Sequence, residues 1–176
     1  MSDQPKRPYS EMIFIAERIK SALEPFCDKI IIAGSLRRKA SMVSDIEICL
    51  LPKPYEVGLF ASGIAPIIDS LKFSKGELHA KMAQRFTEEG VQVDFFIASP
   101  DNYGNICLIR TGRWDFSKYV LGTLVRKAGY IHEEGYLLSD GKIVPCPTEE
   151  SFFNRINLPY IEPEKRTLEY VMAVIG

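Results

Sequence analysis

The sequence predicts an α+β protein: a mixed β-sheet with helices on one face over residues 1–99, then a smaller α+β subdomain over residues 100–176. Three observations carry that expectation. Short β-branched runs alternate with stretches of helical periodicity in the first half, turn residues close each of them, and the texture changes after Ser99-Pro100-Asp101. With 176 residues, 46% of them hydrophobic, the chain is long enough to bury one real core, or one core and a small second one.

Over residues 10–23, Met12, Ile15, Ala16, Ile19 and Leu23 recur at helical spacing, with Pro8 before and Pro25 after as punctuation. This predicts an amphipathic helix packed on a sheet. Residues 28–33 form a short buried strand and residues 45–51 a second, closed by Pro52-Lys53-Pro54. Helical periodicity returns over residues 55–71, where Gly58, Gly63 and Pro66 blur the bounds. Residues 73–98 read as strands, with turns at Gly76 and at Glu88-Glu89-Gly90 separating 78–87 from 91–98. Beyond residue 100 the pattern predicts a helical piece over 102–109, the turn Thr111-Gly112, and a longer helix over 115–128 stopped by Gly129. Asp140-Gly141 marks a hairpin between residues 136–138 and 142–144. Thr148 caps a short helix to Asn157, and a last helix is expected over 163–175. There are no repeats or low-complexity segments.

Composition excludes several classes. Twenty-two basic residues against 23 acidic ones give a net charge of -1, so any phosphate-binding surface is local rather than global. Cys27, Cys49, Cys107 and Cys146 are scattered, without Cys-x-x-Cys or a nearby histidine pair, and suggest neither a zinc site nor a disulfide framework. His79 and His132 have no partner motif and read as satisfied core or surface histidines. No Walker motif, Gly-x-Ser-x-Gly or dinucleotide fingerprint occurs. No signal peptide and no run of about 18 apolar residues is visible. The expectation is a soluble, cytoplasmic or otherwise intracellular protein.

Chemistry concentrates in residues 30–51. An apolar strand runs into Gly34-Ser35, a basic loop follows with Arg37, Arg38 and Lys39, and a second strand opens with Asp45 and Glu47. Alternation along a strand turns Asp45 and Glu47 to one side and Ile46, Ile48 and Leu50 to the other. Two carboxylates in one small volume repel unless a cation lies between them or a proton neutralises one. Asp94 is a third carboxylate within an apolar strand, costly to bury without a partner. The bland alternative is a solvated strand edge, with Asp94 paired to an arginine. It suits a bare Asp-x-Glu but not that pair joined to Gly34-Ser35 upstream and Asp94 downstream.

Gly34-Ser35-Leu36-Arg37-Arg38, six intervening residues, Asp45-Ile46-Glu47 and then Val93-Asp94-Phe95 resemble the nucleotidyltransferase signature of family X DNA polymerases, the relatives of DNA polymerase beta. The likeness extends over residues 28–166: Ser74-Lys75-Gly76-Glu77 resembles a palm strand entry, Thr111-Gly112 the family's Thr-Gly turn, Phe116-Ser117-Lys118 the helix beyond it, and residues 160–166 its closing segment. The resemblance implies a nucleotidyltransferase palm over 1–99 and a nucleotide-binding subdomain over 100–176. It implies that Asp45, Glu47 and Asp94 are the catalytic residues and the ligands of two Mg²⁺ or Mn²⁺ ions. Gly34, Ser35 and Arg38 would grip the triphosphate, and Thr111, Gly112 and Phe116 would lie against the nucleotide. Lys75, Arg110, Arg113 and Lys118 would meet DNA. For Arg126 and Lys127 a solvated helix face is at least as good a reading, and for Trp114 a core position is as good as a base-stacking one.

The departures from the family pattern are specific. Glu47 stands where the family usually has Asp, which displaces the carboxylate by about 1.5 Å against a catalytic tolerance of roughly 0.5 Å. The wider superfamily accepts Glu, which implies slower or metal-selective chemistry. Ile109-Arg110 replaces the usual aromatic pair, and Trp114 and Ser117 replace polar residues. About 27 residues precede the first sheet strand, leaving no room for the lyase and fingers domains. The implied activity is that of a minimal polymerase, acting as a monomer on gapped or primer-template DNA with dNTPs. The rivals are a template-independent or small-substrate nucleotidyltransferase, and an inactive DNA-binding module of the same fold.

Overall fold

A short ladder opens the chain: Arg7–Pro8 (β1) pairs antiparallel with Met42–Val43 (β3), a pairing no sequence pattern announces. Between them, Tyr9–Leu23 forms helix α1, which buries Met12, Ile15, Ala16, Ile19 and Leu23, the same five residues whose spacing predicts it. Cys27–Ile32 (β2) follows, then a four-residue helical turn, Gly34–Arg37 (α2), and Asp45–Pro52 (β4). The structure is a computed structural model, and it describes residues 4–54, 63–77 and 81–176. The first half of the helix expected over 55–71 lies outside the described residues, and Ile64–Asp69 (α3) is its described part. Residues 78–80, including His79 and the expected start of a strand, also lie outside them.

Lys72–Lys75 (β5), Met82–Phe86 (β6) and Gln92–Ile97 (β7) complete a five-stranded sheet of order β2-β4-β7-β6-β5. Among the described residues only the β4 and β7 pair is parallel, so the sheet is mixed. The side chains of Ile46, Ile48, Leu50, Ala83, Val93 and Phe95 join those of α1 in one core. The turn at residues 88–90 is tied to α1 by Arg18, whose Nη2 donates to Glu89 Oε1 at 2.8 Å, and to β1 by Arg7, whose Nη2 donates to the Glu89 carbonyl at 2.6 Å. These elements make up one compact unit, Met1–Ala98.

The second unit is Ser99–Gly176. Tyr103–Thr111 (α4) precedes a run begun by Trp114–Tyr119 (α5), continued by a π turn over Val120–Leu124, and closed by Val125–Lys127 (α6). Gly129, at φ 84°, stops it. Tyr136–Ser139 (β9) and Lys142–Val144 (β10) form the expected hairpin, with Asp140 and Gly141 both at positive φ. Ile131–Glu133 (β8) adds an unannounced third strand through a turn at Glu134-Gly135. Glu149–Arg155 (α7) starts at a capping box made by Thr148 and Ser151.

The helix expected over 163–175 is broken instead. Pro163–Lys165 makes a single 3₁₀ turn, Arg166 leaves the helical path at ψ 70°, and Thr167 caps a fresh helix, Leu168–Ile175 (α8). The cause is the Arg166 side chain, fully buried, which donates two bonds to the Glu149 carboxylate and a third from Nε to the Ile161 carbonyl. The rings of Phe153 and Tyr160 flank its guanidinium. Phe116, Val120, Leu124, Phe152, Phe153 and Ile161 build the core of this unit. All four cysteines are buried, and none is in a disulfide. Among the described residues, no helix is long and apolar enough to cross a membrane.

Candidate active site

Register decides which side chains meet on the sheet. Across the parallel pair, Asp45 of β4 stands opposite Gln92 of β7, and Glu47 opposite Asp94. Residues paired in this way share a face, and so do residues two apart, so the three carboxylates lie on the face opposite Ile46, Ile48 and Val93. Each is half-buried. Ser44 Oγ donates to Asp45 Oδ1 at 2.9 Å. Asp94 is held more elaborately: Gln84 Nε2 donates to its Oδ1 at 2.7 Å, and Gln92 Nε2 lies 3.2 and 3.3 Å from its two oxygens.

Burial pushes the Asp94 carboxyl above its usual value, and the negative charge of Asp45 pushes the same way, against the amides of Gln84 and Gln92 and the ammonium of Lys75. A neighbouring negative charge that raises the proton affinity of Asp94 marks a volume that a cation would relieve.

Gly34 sits beneath the second carboxylate. The Ala33 N–H donates to the Glu47 carbonyl at 2.7 Å, after which the chain turns at Gly34 with φ 63°. The positive φ favours glycine here, and a Cβ on Gly34 would displace the carboxylate of Glu47 that rests on it. The longer glutamate thus has a seat that glycine leaves open. Ser35 and Arg38 follow on the turn, both half-buried.

Asp45, Glu47 and Asp94 are hard oxygen donors of the kind Mg²⁺ or Mn²⁺ prefers, and Mg²⁺ needs only one or two carboxylates when substrate phosphates complete its shell. The donor set fits such an ion on the charge argument above. Among the described residues, no three His, Cys, Asp or Glu side chains are gathered into a ready-made cage.

In the second unit the expected residues divide. Thr111 and Phe116 are fully buried, and a Cβ on Gly112 would strike the Phe116 ring. Phe116 belongs to the core of this unit and Thr111 closes α4 as a buried polar residue, so neither side chain is presented at the surface. Arg113, exposed, pairs with Asp115 at 3.5 Å, and its backbone N–H donates to the Arg166 carbonyl. Trp114 is 75% exposed, so the core reading of this residue is wrong, and Lys118 lies 4.7 Å from its ring centroid. Arg110 is half-buried on α4, while Lys75, Arg126 and Lys127 are exposed.

Sequence reasoning did not single out Gln84 and Gln92. Gln92 was within reach, since the alternation that pairs Asp45 with Glu47 also pairs Gln92 with Asp94. Gln84 carries no signal of its own, because its role rests on the pairing of β6 with β7.

A family model described as DNA polymerase beta thumb matches residues 107–167. That stretch runs from the second half of α4 to Thr167 and is similar to a domain of DNA polymerase beta. No curated protein matches the chain.

Proposed function

We propose that this protein is a nucleotidyltransferase, a minimal DNA polymerase of family X that adds deoxynucleotides from dNTPs to a primer 3′ end in gap filling or repair. One observation carries the reading: Glu47 and Asp94 stand opposite each other on neighbouring parallel strands, with Asp45 on the same face. The match of residues 107–167 to the thumb of a DNA polymerase supports it independently.

In this reading Asp45, Glu47 and Asp94 hold two divalent ions, Mg²⁺ or Mn²⁺, which supply Lewis acidity and charge neutralisation when bound. Asp94, whose proton affinity burial raises, takes the proton of the primer 3′ hydroxyl. Ser35 and Arg38 bind the β and γ phosphates by charge-assisted hydrogen bonds. Arg110, Arg113 and Lys118 in the second unit, and separately Lys75 in the first, contact the DNA backbone, each a local positive charge on a chain of net charge -1.

The test is extension of a labelled primer on gapped, recessed and single-stranded DNA, with Mg²⁺ and then Mn²⁺. Template-matched addition is the expected outcome. Untemplated addition would assign the same site to a template-independent transferase, and tight DNA binding without any incorporation would make the chain a binding module.

A further inference from the structure

We infer that Gln84 is a positioning residue for Asp94, itself anchored at its far end by Ser74. The inference rests on the nucleotidyltransferase reading and deepens it. Register places Lys75, Gln84, Asp94 and Glu47 in one row across β5, β6, β7 and β4. Within that row Ser74 Oγ donates to Gln84 Oε1 at 3.0 Å, and Gln84 Nε2 donates to Asp94 Oδ1 at 2.7 Å. Gln84 is nearly fully buried, at 9% exposure, so both ends of its amide are committed where an unmade bond is costly.

The chain is built to make this relay. The ladder between β5 and β6 shifts between Phe73 and Lys75, leaving Ser74 as the extra residue of a bulge, a device that re-aims one side chain. The neighbouring Arg85, buried to 2% exposure, pins that hairpin by donating to the carbonyls of Lys75 and Gly76. The Asp94 carboxylate, which only accepts when ionised, turns the amide nitrogen towards itself, and the Ser74 hydroxyl, free to donate, closes the other end at Oε1.

The chemical consequence follows from Gln being neutral. An amide N–H favours and orients a carboxylate without adding positive charge, whereas an arginine in its place would repel a divalent cation. Gln84 therefore holds one oxygen of Asp94 still while leaving the carboxylate's full negative charge available to the ion and to the primer hydroxyl.

The decisive variants are Gln84→Met, which keeps the length and loses the donor, Ser74→Ala, and the double variant. Steady-state extension of a gapped primer should show kcat for Gln84→Met lower by about 10- to 100-fold, the usual effect of removing an outer-shell partner, with KM for the dNTP within about twofold. Ser74→Ala should lower kcat less, and the double variant should match Gln84→Met alone, because Ser74 acts only through Gln84. Mn²⁺ affinity of the substrate-free protein, read by electron paramagnetic resonance, should weaken in the same order. Unchanged kcat and Mn²⁺ affinity in Gln84→Met, or a double variant whose losses simply add, would overturn the inference. If Gln84→Met does not fold, Ser74→Ala decides: an unchanged kcat and Mn²⁺ affinity there also overturns it. Asp94→Ala keeps the two claims apart. If that variant is inactive while Gln84→Met is fully active, only the positioning role fails; if Asp94→Ala retains turnover, the transferase reading itself fails.

Discussion

Gly34 and Asp94 show how single residues divide stability from function. At Gly34 the backbone angle and the Glu47 carboxylate both disfavour a side chain. Gly34→Ala should cost about 1–2 kcal/mol from the left-handed angle alone, and should lower incorporation further by pushing Glu47 off its seat; urea unfolding and primer extension measure the two losses. Asp94 behaves oppositely. Its proton is held more tightly in the fold than in the unfolded chain, so charging it costs stability, and that cost grows as pH rises above the ordinary 3.8 through the raised value. In metal-free buffer Asp94→Asn should therefore unfold at a higher temperature than wild type at pH 7, and the gap should close towards pH 3 to 4. A less stable Asp94→Asn at pH 7 would mean that the carboxylate is not strained by its surroundings. Both residues stand out in the sequence, one as half of Gly-Ser and the other as a lone acid in an apolar strand. The hold of Gln84 on Asp94, in contrast, depends on long-range strand pairing and could not be read.

Elements whose signal is local came through well, and those that depend on a distant partner did not. Helix α1 is fixed by five apolar residues at helical spacing, and the β9 and β10 hairpin by Asp140-Gly141. β8 is only three residues long and turns on Glu-Gly, a weaker signal than Asp-Gly, and the break before α8 is dictated by the bond from Arg166 to Glu149, seventeen positions away in sequence. That buried pair gives a prediction for the second unit: Arg166→Met leaves a charged Glu149 without its partner and should cost about 3–5 kcal/mol, whereas Arg166→Met with Glu149→Leu should recover much of the loss. Urea unfolding of both variants checks it. In the first unit, the hydrogen bond from Arg18 is the largest influence holding the Glu89 carboxyl down at about 2, against an ordinary 4.5. The stability this tether contributes is present above pH 4.5 and is lost as pH falls towards 2. Glu89→Gln should remove that dependence with a loss at pH 7 below about 1 kcal/mol, since the pair is largely exposed to solvent.

For the molecule as a whole, near-neutral net charge and nucleic-acid binding are compatible only if the cationic residues act locally. Binding to gapped DNA should weaken steeply with salt, and replacing Arg113 and Lys118 with glutamine should each lower the log–log salt slope by about one while weakening binding about equally across sequences. The parallel pairing of β4 with β7 was not legible in the sequence, because no local pattern distinguishes a parallel neighbour from an antiparallel one. That pairing carries the account, for it sets Asp94 beside Glu47. Its most direct test is single-nucleotide incorporation into gapped DNA by wild type and Asp94→Ala, with matched circular dichroism to show that both are folded. Incorporation by wild type with Mg²⁺ or Mn²⁺, and none above background by the variant, is the predicted result; equal turnover by the two proteins would contradict it.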